Sequence, residues 1–123
     1  MALMSKDNYN YEDLVVWQKS MSLVRNIYQL TKSFPKEEVY GLTSQIRRAA
    51  FSIPLNIAEG QGRKSKKEFT QFLMIARGSA YELNTALLLA RDLSYLKENQ
   101  YLWLRQQINE ITKMMSGLLN YLR

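Results

Sequence analysis

The 123-residue chain contains no cysteine and no histidine. The first absence removes disulfides and thiolate metal sites. The second removes the commonest general base and the commonest metal ligand. Five glycines and two prolines are the only strong punctuation, too little for a fold of many short strands. No apolar signal region opens the chain and no apolar run reaches the length of a membrane span. A cytoplasmic protein without membrane association is expected. Carboxylate pairs are scarce too. Glu37 and Glu38 are neighbours at a helix start, where solvent exposure is the ordinary outcome, and a Glu59/Glu82 pair lacks the Glu-x-x-His spacing of di-iron bundles. No catalytic residue, cofactor or metal site is expected.

What is present is helical periodicity. Hydrophobic residues make up 46% of the chain, enough for one packed domain at this length. Residues 1–10 are polar and read as a flexible segment; residues 11–123 read as a four-helix bundle. A first helix from about Tyr11 to Ser33 is marked by Leu14, Met21, Val24, Ile27 and Tyr28, with Trp17 and Leu30 extending the face. Phe34-Pro35 ends it, because the proline disfavours helical geometry at the residue before it. A second helix from Leu42 to Glu59 carries Leu42, Ile46, Ala49, Ile53 and Ile57, with Gly60 as its C-cap. Pro54 lies inside that helix and cannot donate to the carbonyl of Ala50, which predicts a kink near Ala50–Pro54 or a break into two pieces. Ser65 and Glu68 have capping-box spacing and open a third helix, which runs to about Leu93 on a face of Phe69, Phe72, Leu73, Ala76, Ala80, Leu83, Leu87 and Ala90. A fourth from Glu98 to Leu122 turns Tyr101, Leu104, Ile108, Ile111, Met115, Leu119 and Leu122 inward. Short connections between such helices predict an all-α, antiparallel, up-down-up-down bundle.

Some faces are left over. Phe51, Pro54, Leu55 and Ala58 fall opposite the core stripe of the second helix. Met74, Tyr81 and Leu88 make a second seam on the third, and Trp103, Met114 and Tyr121 on the fourth. Isolated surface apolar residues are ordinary, but three second seams in one short chain predict self-association. Bordering the core of the second helix, Gln45, Arg48, Ser52, Asn56 and Glu59 share a polar flank, faced by Ser79 and Glu82 on the third. Arg48 is placed to pair with Glu82 or Glu59. Two readings stand side by side: a structural polar network of Gln45, Arg48, Asn56, Glu59 and Glu82 that sets helix register, or a functional lining, of a ligand pocket or of a contact between subunits.

The net charge of +6 is unevenly spread. Between residues 61 and 77, five basic side chains face only Glu68, a local excess of +4. Gly60-Gln61-Gly62-Arg63-Lys64-Ser65-Lys66-Lys67 is a basic turn leading into a helix N-terminus, where backbone N–H groups favour anions. Arg63, Lys64, Lys66 and Lys67, with Arg47 and Arg77 as extensions, are the candidate phosphate contacts. The stretch lacks the Gly-Lys-Ser/Thr ending of a P-loop. A solvated basic turn with no ligand is the plain alternative. No pattern for reading bases is present.

With these residues in view, the chain resembles the 23S rRNA-intervening-sequence proteins over about residues 11–122. The resemblance is carried by Leu14-Val15-Val16-Trp17-Gln18, by Phe34-Pro35 with Glu38 and Tyr40-Gly41-Leu42, and by Ser44-Gln45-Ile46-Arg47-Arg48-Ala49-Ala50. It continues through Ser52-Ile53-Pro54, Asn56-Ile57-Ala58-Glu59-Gly60, Phe69, Phe72-Leu73, Ala76-Arg77-Gly78-Ser79 and Glu82-Leu83. It implies an all-α bundle assembling as a ring, typically a homopentamer. Members of the family are encoded in inserts of bacterial 23S rRNA genes or elsewhere in the genome. A related branch is similar to accessory proteins of diversity-generating retroelements, which bind nucleic acid and a reverse transcriptase. The family supplies no catalytic residues to carry over. Its basic surface maps here onto Arg63, Lys64, Lys66 and Lys67. The resulting expectation is a non-enzymatic, oligomeric protein binding RNA or DNA with little sequence specificity, with a scaffold that docks a partner enzyme as the alternative.

Overall fold

The computed structural model describes residues 10–123, so residues 1–9 of the segment read as flexible lie outside it. Four long helices account for most of the chain: α1 (Val15–Thr31), α2 (Leu42–Gly62), α3 (Lys66–Asp92) and α4 (Glu98–Leu122). Two 3₁₀ turns, Tyr11–Asp13 and Lys36–Glu38, lead into α1 and α2. Among the described residues there is no strand. Each helix packs on its neighbours in sequence, and α1 packs on α4, which closes a four-helix bundle; the α2–α3 interface is the most extensive.

The inward faces follow the apolar spacing. In α4 the buried residues are Tyr101, Leu104, Ile108, Ile111, Met115, Leu119 and Leu122, the predicted set. In α1 the phase differs. The chain enters through the 3₁₀ turn, where the Asn10 side chain accepts from the Glu12 N–H at 2.8 Å, so α1 begins at Val15 and not at Tyr11. Val16, Leu23, Val24 and Ile27 form the buried stripe with Leu14, while Tyr28 is 42% exposed. Ser20 is fully buried on this face and donates to the Trp17 carbonyl at 2.8 Å, so the hydroxyl costs little.

Three expectations about α2 need correction. The helix is continuous through Pro54 and is not broken there. Pro54 is also buried, not part of an outward seam. Gly60 is not a C-cap. It lies within the helix and is buried, because α3 crosses so close that an added Cβ would sit 2.6 Å from Phe72 Cβ and 3.0 Å from Phe69 Cδ1. Only a residue without a side chain lets the two backbones meet there.

The opposite end of α2 is tied down by polar contacts. Glu38 accepts from the Leu42 N–H at 3.1 Å and from the Tyr95 hydroxyl at 2.9 Å, linking the α1–α2 connector to the turn between α3 and α4. The hydrogen bond to the Glu38 carboxylate, helped by desolvation and its charge, holds the Tyr95 phenol above its ordinary pKa.

Candidate functional site

The α2–α3 turn is built from three backbone states. Arg63 caps α2 in a helical conformation with its N–H on the Gly60 carbonyl. Lys64 then takes φ 61°, the left-handed region, and reverses the chain. Ser65 is extended and caps α3, accepting from the Glu68 N–H at 3.3 Å. Of the predicted capping box only this half forms, because the Glu68 carboxylate turns to Arg63 at 3.6 Å. Left-handed geometry strains a residue bearing a Cβ by about 1–2 kcal/mol, partly balanced by the entropy glycine loses on folding. Lys64→Gly is therefore expected to raise stability by up to about 1 kcal/mol. A higher urea midpoint with an unchanged m-value would show it, and a lower midpoint would contradict the strain argument.

The four basic side chains of the turn divide into two kinds. Arg63 is committed: Nε and Nη2 donate to Glu59 Oε2 at 3.2 and 2.8 Å, Nη1 approaches Glu68, and the guanidinium lies over the Phe72 ring at 5.2 Å. These pairs are exposed and individually weak, but together they hold Arg63 against the bundle. Lys64, Lys66 and Lys67 are exposed and form no ion pair among the described residues. Because Glu59 folds onto the turn beside Glu68, the four cations there face two carboxylates, a local net of +2. The cations left without an ion pair among the described residues are Lys64 in the turn and Lys66 and Lys67 in the first turn of α3.

Arg47 and Arg77 are not brought to this turn. Arg47 precedes Arg63 by sixteen residues on α2, about 24 Å along the axis. Its Nε donates to Thr31 Oγ1 at 2.9 Å, its Nη2 reaches the Tyr28 carbonyl at 3.4 Å, and it stacks over the Tyr28 ring. Arg77 points toward α4, donating to Ser116 Oγ at 3.3 Å. Their adjacency to the cluster exists in the sequence pattern alone.

The polar flank of α2 does not form one network. Asn56 Nδ2 donates to the Ser52 carbonyl and to Ser52 Oγ, which shares a 2.8 Å hydrogen bond with Ser79 Oγ across the α2–α3 seam. Glu59 belongs to Arg63. Arg48 pairs with neither Glu82 nor Glu59. Instead Gln45, Arg48 and Glu82 line an open groove of about 520 Å³, with Tyr40, Ser44 and Ser52 around them. Tyr40, 96% exposed at the rim, is a residue that periodicity could not flag, because it sits in a connector. Large apolar side chains are also exposed on the same two helices: Phe51 and Leu55 on α2, with Met74, Ile75 and Tyr81 on α3. Trp103 and Tyr121 are exposed on α4, while Leu88 and Met114 of the predicted seams are half-buried.

Three comparisons bear on this geometry. Residues 12–117 match the model of a family described as 23S rRNA-intervening sequence protein. A crystal structure of a protein of unknown function from the S23 ribosomal protein family, from Bacteroides thetaiotaomicron, superposes with a TM-score of 0.79 at 28% identity. The alignment covers 85% of this chain and 98% of that one. No curated protein matches the chain significantly.

Proposed function

We propose, for a chain that belongs to the 23S rRNA-intervening sequence protein family, a non-enzymatic role as a cytoplasmic oligomer that binds RNA or DNA through the α2–α3 turn. The observation that carries the reading is the trio Lys64, Lys66 and Lys67, exposed and without acidic partners among the described residues, around the start of a long helix. Three point charges with mobile stems suit a phosphate backbone and carry no base-reading geometry. No helix among the described residues is long and apolar enough to cross a membrane.

The assembly in this reading is a ring of up-down-up-down bundles, with five copies as the family resemblance implies. Two sets of contacts support the alternating helix directions. Lys19 meets Glu110 and Asn26 meets Gln107 between α1 and α4, while Arg77 meets Ser116 and Asn84 meets Tyr101 between α3 and α4. In both sets one number rises as the other falls. The exposed Phe51, Leu55 and Ile75 support contact between copies, since exposed apolar side chains gain from burial. A ring repeats the lysine trio, and repetition converts weak contacts into useful affinity.

The test is a salt series with structured rRNA, single-stranded RNA and duplex DNA, the mass being read by light scattering. If three phosphates are neutralised per copy on duplex DNA, affinity falls about fortyfold from 50 to 200 mM salt, and more steeply if several copies engage. Absence of binding at low salt by an intact oligomer would overturn the nucleic-acid reading. The same exposed apolar side chains also favour a second reading, a scaffold that docks a partner protein such as a reverse transcriptase. Its signature is association that resists high salt and fails on Leu55→Glu.

A further inference from the structure

The connector between α1 and α2 borders an open pocket of about 450 Å³, some twenty residues of α2 away from the lysine trio, or about 30 Å. It has three kinds of wall. Lys32, Lys36 and Arg47 supply positive charge. Phe34, Pro35 and Val39 make a short apolar floor. Thr43, only 5% exposed, adds a hydroxyl that has no hydrogen-bond partner among the described residues. No polar side-chain atom of those residues is both sealed from solvent and unpartnered, so the Thr43 hydroxyl keeps its exposure through the pocket it lines.

The arrangement is pre-organised. Arg47 is held by Thr31 Oγ1, the Tyr28 carbonyl and the Tyr28 ring, which leaves the remaining guanidinium N–H groups fixed in direction; a fixed fork loses little freedom on binding an anion. Carbonyls at the C-terminal end of α1 would repel an anion. Two of them are already engaged, Tyr28 by Arg47 and Thr31 by the Phe34 N–H at 3.1 Å. Of the connector's two carboxylates, Glu38 is turned away to Leu42 and Tyr95, and the exposed Glu37 is not among the residues lining the pocket.

We propose that this pocket binds a nucleoside phosphate. Three cations match a doubly charged phosphate better than a single carboxylate. A floor of one phenylalanine, one proline and one valine suits a flat ring, not a long acyl chain, and the volume lies in the range of small-ligand sites. The ligand chemistry has two sources, a free nucleotide or the phosphorylated end of a strand. The site stands apart from the α2–α3 turn, so its failure and the failure of that reading are separable.

The experiment is calorimetric titration of the full chain with AMP, GMP, CMP and UMP, with inorganic phosphate and adenosine as fragments. The nucleotides are expected to bind at least about tenfold more tightly than either fragment, because each fragment uses only one kind of wall. Thr43→Val, which keeps the shape and removes the hydroxyl, should weaken binding about five- to tenfold. The Lys32→Gln/Lys36→Gln pair should weaken it by about tenfold or more. Glu substitutions at Lys64, Lys66 and Lys67 should leave mononucleotide affinity unchanged. Tighter binding of a 5′-phosphorylated oligonucleotide than of its 5′-hydroxyl form, lost in the Lys32/Lys36 variant, would identify a strand end as the source; equal binding with tight mononucleotide capture would identify the free nucleotide. Absence of mononucleotide binding at millimolar concentration, or binding indifferent to both Thr43→Val and the lysine pair, would overturn the proposal.

Discussion

Gly60→Ala is expected to destabilise the protein by about 1–3 kcal/mol, even though alanine is the better helix former by about 1 kcal/mol. The added methyl would lie 2.6 Å from Phe72 Cβ, an atom anchored to the α3 backbone, so a rotamer change cannot relieve the clash and the helices themselves must separate. Phe69, 1% exposed, sits at the same crossing and would lose packing as they part. Gly78 and Gly117 are internal controls, since a Cβ at either meets nothing within 4 Å; alanine there should stabilise by up to about 1 kcal/mol. Urea midpoints of the three variants at equal protein concentration decide the matter. Gly60→Ala unfolding at the same midpoint as Gly78→Ala would mean that the close crossing is not a constraint in solution.

Charge reversal at Lys64, Lys66 and Lys67 is expected to lower nucleic-acid affinity by at least about a hundredfold at moderate salt, since three attractive phosphate contacts become repulsive. The fold should survive. All three side chains are exposed and form no ion pair among the described residues, and acidic residues in the first turn of α3 interact favourably with its N-terminal dipole. Arg63 is left in place because it is paired with Glu59 and Glu68; reversing it would bring three carboxylates together and mix a structural effect with the binding effect. Circular dichroism and light scattering should therefore match the parent. Undiminished binding by a correctly assembled triple variant would show that the interface lies elsewhere on the molecule.

The degree to which the sequence announces these features depends on how local their causes are. The α4 core is legible because its seven inward residues keep one helical phase from Tyr101 to Leu122. The α1 core is half legible: the entry through Tyr11–Asp13 shifts the start of the helix, so Val16 and Leu23 take the inward positions while Tyr28 serves as a platform for Arg47. Gly60 reads as a helix stop because glycine commonly ends helices; its actual reason, the approach of Phe72, lies in another helix. The three lysines of the turn are visible as a charge run, but the withdrawal of Arg63 depends on Glu59 one helical turn earlier. The connector pocket is hidden from periodicity because it joins Lys32 and Lys36 to Thr43 and Arg47 across a proline-containing bend.

The unequal packing of the helices sets the order in which the molecule should open. α2 and α3 share the most extensive interface, locked by the crossing at Gly60 and the Ser52–Ser79 hydroxyl pair, whereas α1 starts without a side-chain cap. Native-state hydrogen exchange should therefore resolve a slow cooperative unit made of the two central helices and a faster one in which the first helix detaches from the last. The lysine turn forms the tip of the slow unit, so the cationic end would persist in partly opened forms that have already released the first helix.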